Sequence, residues 1–294
     1  MLYEKIQESM RKMGYTDYSN NFEIISEKAG IQVVRISIHN KTYIFKYFEN
    51  ITDAREIQNY QILKESGIPI LKIYGSTEKA ILIEDIKNSS DKRLGKETDL
   101  SDISVICSIA RWYRWLHKGG KKYPGLAELY SEYDEFTPEN ILDIQYKSNT
   151  PDNPIWKLIL SNINSIHILI SNLESTLIYN DFYWTNMAVF NNRKTALMFD
   201  YNLLGRGYRY TDIRNVFSSL SPEASEVFLN EYGDYNQDEK IIDEAISDIY
   251  TLIAAYKKKT FPLWAEGSLN KLNKGILSQK LNVALGLYKG ECLY

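Results

Sequence analysis

An α+β fold in two parts, a small N-terminal antiparallel sheet with a helix and then a larger, mainly helical region, is predicted by three observations. Alternation of apolar and polar residues is confined to the first third of the chain, apolar residues at helical spacing dominate the rest, and the polar, charged stretch "KNSSDKRLGKET" separates the two. The boundary is placed at Ile86, giving parts of residues 1–86 and 87–294.

Each element follows from its pattern. "IQVVRISIH" and "KTYIFKYF" alternate around the turn-like "HNK" and read as a hairpin. In "TDAREIQNYQILKESGIPI" the residues Ile57, Tyr60, Gln61 and Leu63 fall at helical spacing; Thr52 or Asp53 is the expected cap, and Gly67 with Pro69 the stop. "KIYGSTEKAILIEDI" supplies two further short strands. Beyond the boundary, "DLSDISVICSIARWYRWLHKGG" repeats apolar residues from Ile103 to Leu116, and a second helix opens with Asn153 as cap and Pro154 in its first turn. Two more helices are expected, one opened by Ser221 and Pro222, the other striped by Ile242, Ile246, Ile249, Ile253 and Tyr256. Lys257, Lys258 and Lys259 at the end of the last complement the helix dipole.

Composition narrows the function classes. At 294 residues, 44% hydrophobic and 25% charged, the chain has interior enough for two globular parts. A formal net charge of −3 and the lack of a basic patch argue against a nucleic-acid binder. Cys107 and Cys292 are the two cysteines, too few for a disulfide framework or a cysteine-rich zinc site. No signal-like or membrane-length apolar run stands out, so a cytoplasmic protein without membrane partners is expected.

The chemistry concentrates in "LIYNDFYWTNMAVFNNRKTALMFDYNLL". "MAVF" and "ALMF" read as paired strands around "NNRK", which leaves Asp181 and Asn186 on the loop leading in and Asp200 on the loop leading out. The hairpin brings these three polar side chains to one end. Two carboxylates and an amide oxygen, without a histidine or cysteine cluster, suit a hard cation such as Mg²⁺ that shares its shell with phosphates. Asp-x4-Asn alone is weak, since such a pair arises by chance about once in a chain of this length.

In order, however, these residues resemble the catalytic and metal loops of protein kinases and of their small-molecule relatives, the aminoglycoside phosphotransferase and choline kinase-like family, and the resemblance spans nearly the whole chain. It implies a two-lobed protein-kinase-like fold, with 1–86 as the nucleotide-binding lobe and 87–294 as the catalytic and acceptor-binding lobe. Lys46 in "YIFKYF" matches the strand lysine that bridges nucleotide phosphates, and Glu56 the helix glutamate that orients it. Glu84, Asp85 and Ile86 match the lobe-connecting segment beside the nucleotide. Asp181 would be the catalytic base, Asn186 and Asp200 the Mg²⁺ ligands, and Asp212, five residues after Gly207, the brace of the catalytic loop. His117, ending a helix as Leu-His, would be structural. The implied reaction is phosphoryl transfer from ATP or GTP to a hydroxyl of a small molecule.

Two departures stand out. Tyr179-Asn180-Asp181 replaces the family's common His-Gly-Asp, and "SEKAGIQVV", where the phosphate-covering loop is expected, offers Gly30 alone. For the acceptor, Pro222 to Tyr250 carries nine acidic residues against Lys240, which favours a cationic acceptor such as an aminoglycoside. Asp238, Glu239 and Trp264 are the candidate acceptor contacts; Phe182, Tyr183 and Trp184 are candidates for a cation–π wall. Acidic residues on amphipathic helices are otherwise a wet face. Two alternatives stay open: a kinase of another metabolite (an amino alcohol, choline-like amine or sugar), or a non-catalytic member of the fold such as a spore-coat relative.

Overall fold

A computed structural model describes residues 2–19 and 21–289; Cys292 lies outside them. Its elements are, in chain order, α1 (Leu2–Lys12), β1 (Phe22–Lys28), β2 (Ile31–Ile38), β3 (Lys41–Phe48), α2 (Arg55–Glu65), β4 (Ile73–Ser76), β5 (Ala80–Glu84) and β6 (Lys92–Leu94). Next come α3 (Ile103–Gly120), α4 (Pro138–Lys147), α5 (Pro154–Ser171), β7 (Thr176–Ile178), β8 (Met187–Phe190), β9 (Ala196–Met198) and β10 (Gly205–Gly207). The chain closes with α6 (Arg209–Phe217), α7 (Pro222–Tyr232), α8 (Gln237–Tyr256), α9 (Glu266–Asn273) and α10 (Ile276–Lys289).

Contacts divide the chain into two compact units. One comprises Met1–Pro124, Tyr179–Leu204 and Asp212–Gly233; the other comprises Gly125–Ile178, Gly205–Thr211 and Asp234–Tyr294. Both are discontinuous in sequence, so the division follows packing rather than chain order.

The first unit holds a five-stranded antiparallel sheet in the order β1-β2-β3-β5-β4. The expected β2–β3 hairpin closes through His39 and Asn40, both at positive φ (47° and 64°), the geometry that matches the twist of the strands it joins. Register sets the two faces. Val34, Phe45 and Leu82 lie opposite one another and enter a core with Ile6 and Met10 of α1, while Val33, Lys46 and Ile81 lie opposite one another on the other face. Alternation thus keeps the lysine away from the α1 core.

Two details differ from expectation. Neither Thr52 nor Asp53 caps α2: its N-cap is Ala54, with no side-chain bond. The charged stretch, in which no element was expected, holds β6, the third strand of the sheet β6-β8-β9. Its charges are consumed locally, Arg93 gripping the buried Asp99 through two bonds of 2.7 and 2.6 Å. Gly95 follows because a Cβ there would stand 2.2 Å from the Trp184 carbonyl oxygen. That close approach seats the turn ending at Asn186.

The second unit is helical, with α4 and α5 packed on each other and α8 and α10 packed on each other, and with α8 also against α4 and α10 against α5. Ile242, Ile246, Ile249 and Ile253 are buried along α8 as its stripe predicts. Asn153 caps α5 and Asn236 caps α8; in the first unit, Ser221 caps α7. Helix α4 was not anticipated, although its signal was present: Thr137 caps it and Pro138 opens it.

Candidate functional site

The catalytic-loop and metal-loop residues singled out in the sequence all fall in the first unit. Lys46 projects from β3 and is buried; its Nζ lies 2.5 Å from Glu56 on α2 and 2.8 Å from Asp200. Helix α2 also fixes the chain after Asp200. Asn59, one turn beyond Glu56, donates to the Tyr201 carbonyl at 2.7 Å, and Arg55 Nε to the Asn202 carbonyl at 2.8 Å. Sequence reasoning missed both residues, though Asn59 stands three positions from Glu56 and therefore shares its face.

Burial pushes the Glu56 carboxyl up to about 7, against the pull of the Lys46 ammonium. Burial opposes the charge on Lys46, but Glu56 and Asp200 outweigh it and hold the ammonium above its ordinary value. The group is a buried cation between two carboxylates.

The loop from Tyr179 to Asn186 is braced from beneath. Asp212 on α6, fully buried, accepts the backbone N–H of Tyr179 at 2.8 Å and of Asn180 at 2.9 Å, and His117 Nε2 reaches it at 3.1 Å. A carboxylate only accepts, so Nε2 carries the proton and the Tyr232 hydroxyl, 2.7 Å from Nδ1, completes the chain. Tyr179, standing where the family commonly has His, is fully buried and donates its hydroxyl to the Phe199 carbonyl at 2.5 Å, tying this loop to the one that carries Asp200. Asn180 occupies the glycine position with φ of 65°, and Asp200 has the same φ. Both are residue types that tolerate the left-handed region, so Asn replaces Gly there at small steric cost.

Asp181 is half-buried, and Asn186 Nδ2 donates to its Oδ2 at 2.9 Å. Burial first, then the Asp200 carboxylate, raises Asp181 to about 6, against Asn186 and Lys46. The Asp181 carboxyl is thus less acidic than an ordinary aspartate. Among the described residues no group of three or more His, Cys, Asp or Glu gathers as a metal site. Asp200 and Asn186 nevertheless offer a carboxylate and an amide oxygen, hard donors of the kind Mg²⁺ takes when phosphates and water complete its shell.

Beside the Lys46 face of the sheet lies a cavity of about 340 Å³, walled by Val33, Ile44, Leu71, Ile83, Ile86 and Phe199. Glu84 and Asp85 line it too, but their carboxylates are committed, Glu84 to Lys92 at 2.5 Å and Asp85 to Arg35 at 2.7 Å. The apolar walls come from five separated segments, which a linear reading does not join. The expected phosphate-covering stretch is a tight turn through Ala29 and Gly30, both at positive φ.

The candidate acceptor residues belong to the second unit. Asp238 is exposed, in the first turn of α8, and Trp264 is 53% exposed. Glu239 is 1% exposed, bonded to Arg209 Nη2 at 2.9 Å and to the Tyr210 N–H at 3.1 Å, so it is a structural carboxylate and not an acceptor contact. Asp243 and Asp248 are likewise buried, bonded to Tyr208 and to Ser268 with Lys271. The acidic segment is therefore a weaker field than its sequence implies. Phe182 is buried, whereas Tyr183 is exposed.

No family sequence model and no curated protein sequence matches the chain. Solved structures do. Choline kinase LicA from Streptococcus pneumoniae superposes with a TM-score of 0.67 at 17% identity, covering 94% of this chain and 99% of that one. A choline/ethanolamine kinase family protein from Mesorhizobium loti gives 0.65 at 13% identity, covering 97% and 98%. The spectinomycin phosphotransferase APH(9)-Ia, in complex with ADP and spectinomycin, gives 0.53 at 14% identity, covering 93% of each chain. A likeness of this extent, with the antiparallel sheet at the N-terminus and helices dominating the rest, shows that the chain has the protein-kinase-like fold found in these small-molecule kinases and phosphotransferases.

Proposed function

We propose that the protein is a phosphotransferase that moves the γ-phosphoryl group of ATP or GTP to a hydroxyl of a small molecule. The observation that carries this reading is the chain Glu56–Lys46–Asp200 in the same compact unit as Asp181 and Asn186. Residues 1–86 would form the nucleotide-binding lobe and 87–294 the catalytic and acceptor-binding lobe. A flat purine suits apolar walls such as those of the 340 Å³ cavity, which Glu84, Asp85 and Ile86 help to line. Lys46, held by Glu56, would reach the phosphates, and Asp200 with Asn186 would hold Mg²⁺, which supplies charge neutralisation between the phosphate oxygens.

The acceptor hydroxyl would donate a hydrogen bond to Asp181. Its oxygen forms the new bond to the γ-phosphorus, the bond to the bridging oxygen breaks, the nucleoside diphosphate leaves, and the proton passes to Asp181. A value near 6 keeps Asp181 ionised at neutral pH yet basic enough to take that proton. Asp212 would keep the loop in shape rather than touch substrate.

For the acceptor, the finer proposal is a cationic alcohol, an aminoglycoside or an amino alcohol such as choline. Exposed Tyr183, in the same compact unit as Asp181, supports it, and the named activities of the choline kinase and of the spectinomycin phosphotransferase point the same way. The test is a thermal shift with ATP or GTP and Mg²⁺, followed by labelled phosphate transfer to aminoglycosides, choline, ethanolamine and neutral sugars. A shift with transfer to one class supports the reading. No shift with either nucleotide overturns it in favour of a non-catalytic member of the fold.

A further inference from the structure

The apolar cavity on this face of the sheet is also lined by charged residues, among them Glu23, Arg35 and Asp85. The Asp85 side chain is 2% exposed and that of Arg35 is 11% exposed. Arg35 meets the Asp85 carboxylate with Nε at 2.7 Å and Nη2 at 3.3 Å, while its Nη1 bonds Glu23 on β1. Thr42 Oγ1 at 2.6 Å and Asn88 Nδ2 at 2.9 Å donate to the same Asp85 oxygen, and Asn88 also donates to Thr42 at 2.9 Å. One carboxylate thus collects donors from β2, from β3 and from the turn Ile86–Asn88. Burial would raise the Asp85 carboxyl, but Arg35, Thr42 and Asn88 hold it below its ordinary value.

Stability alone is a poor account of this arrangement. An apolar pair of similar volume would join β2 to the residues after β5 without the cost of desolvating two charges, so stability alone does not account for this ion pair. The guanidinium fork provides a fixed geometry, since it can bind on two edges at once. Arg35 spans from Glu23 on β1 to Asp85, whose chain neighbours Glu84 and Ile86 line the cavity with it.

We propose that the Arg35–Asp85 pair positions the nucleotide base: it ties the Asp85–Ile86 backbone, just beyond the end of β5, to the face of β2, so that the slot for a planar heteroaromatic base is formed before binding. The inference rests on the phosphotransferase reading and deepens it. Neither residue meets a reacting atom, so both act on base affinity and not on the chemical step. A preformed slot spares the ordering cost that a loose linker would incur on binding.

The experiment separates base from phosphate. Arg35→Met and Asp85→Asn are compared with the parent for binding of adenosine, guanosine and inorganic tripolyphosphate, and for steady-state turnover. Asp85→Asn retains an oxygen for Thr42 and Asn88, and binding is compared only between proteins with the parental circular dichroism. The affinity of the preferred nucleoside is expected to fall about tenfold in each variant, a loss of about 1.4 kcal/mol. Tripolyphosphate affinity stays at the parental value, nucleotide KM rises by the same factor, and kcat changes less than twofold. The double variant should be no worse than either single one, because the two residues act as a unit. Unchanged nucleoside affinity in both variants, or equal weakening of tripolyphosphate, overturns the inference while leaving phosphoryl transfer in place. A parent protein that binds no nucleotide overturns the functional reading itself.

Discussion

Replacing Lys46 by Met strands a carboxylate. Glu56 is 1% exposed and 2.5 Å from the ammonium, and removing one partner of a buried ion pair costs about 3–5 kcal/mol when the other stays charged. Glu56 has an escape, because burial already raises it from 4.5 to about 7 with Lys46 in place. Without the ammonium it rises further and takes up a proton at neutral pH. The sign then follows. Where the folded protein holds a proton that the unfolded chain has released, stability falls as pH rises, by about 1.4 kcal/mol per pH unit. In the parent this loss runs from about pH 4.5 to about 7; in the variant it continues above 7. The stability gap between the two should therefore be modest at pH 6 and wider by about 2 kcal/mol at pH 8.5, the slope acting over roughly one and a half pH units. Urea unfolding followed by tryptophan fluorescence at both pH values measures it. Adding Glu56→Gln to the variant should remove the extra slope and recover most of the loss at pH 8.5. A gap independent of pH, or a double variant as unstable as Lys46→Met at pH 8.5, would refute the idea that an unpaired Glu56 carries the penalty.

Asp181→Asn should keep nucleotide binding and lower phosphoryl transfer by about 10²–10⁴-fold, measured as labelled phosphate incorporation, because an amide takes no proton. In the parent, kcat/KM should drop tenfold per pH unit below about 6, since Asp181 must be ionised to accept the hydroxyl proton; a flat profile to pH 5 counts against its role. Asp200→Ala should abolish the part of the nucleotide thermal shift that depends on added Mg²⁺, and an intact Mg²⁺ dependence would remove Asp200 from the metal site. Asp238→Lys should weaken a cationic acceptor, more at low salt than at high, with nucleotide affinity unchanged. Glu239→Lys is unsuited to that test, because it breaks the buried contact with Arg209 and reads out as unfolding.

The kinase-like fold was legible because its signals are local and ordered. Period-2 alternation marked β2 and β3, while caps at Asn153 and Ser221 fixed two helix starts. The order Lys46, Glu56, Asp181, Asn186, Asp200 and Asp212 picked out residues that lie in one compact unit. What stayed hidden depends on partners distant in sequence. That "KNSSDKRLGKET" becomes a strand follows from its pairing with β8 and from Arg93 closing on Asp99, neither of which a charged string reveals. Asn59 and Arg55 acquire their role only when the carbonyls of Tyr201 and Asn202 arrive beside α2. The same holds for charge. Composition made Glu239, Asp243 and Asp248 part of an acidic face, but tertiary packing buried all three and supplied their partners. The field of a carboxylate is set by what stands next to it, and only the folded chain decides that.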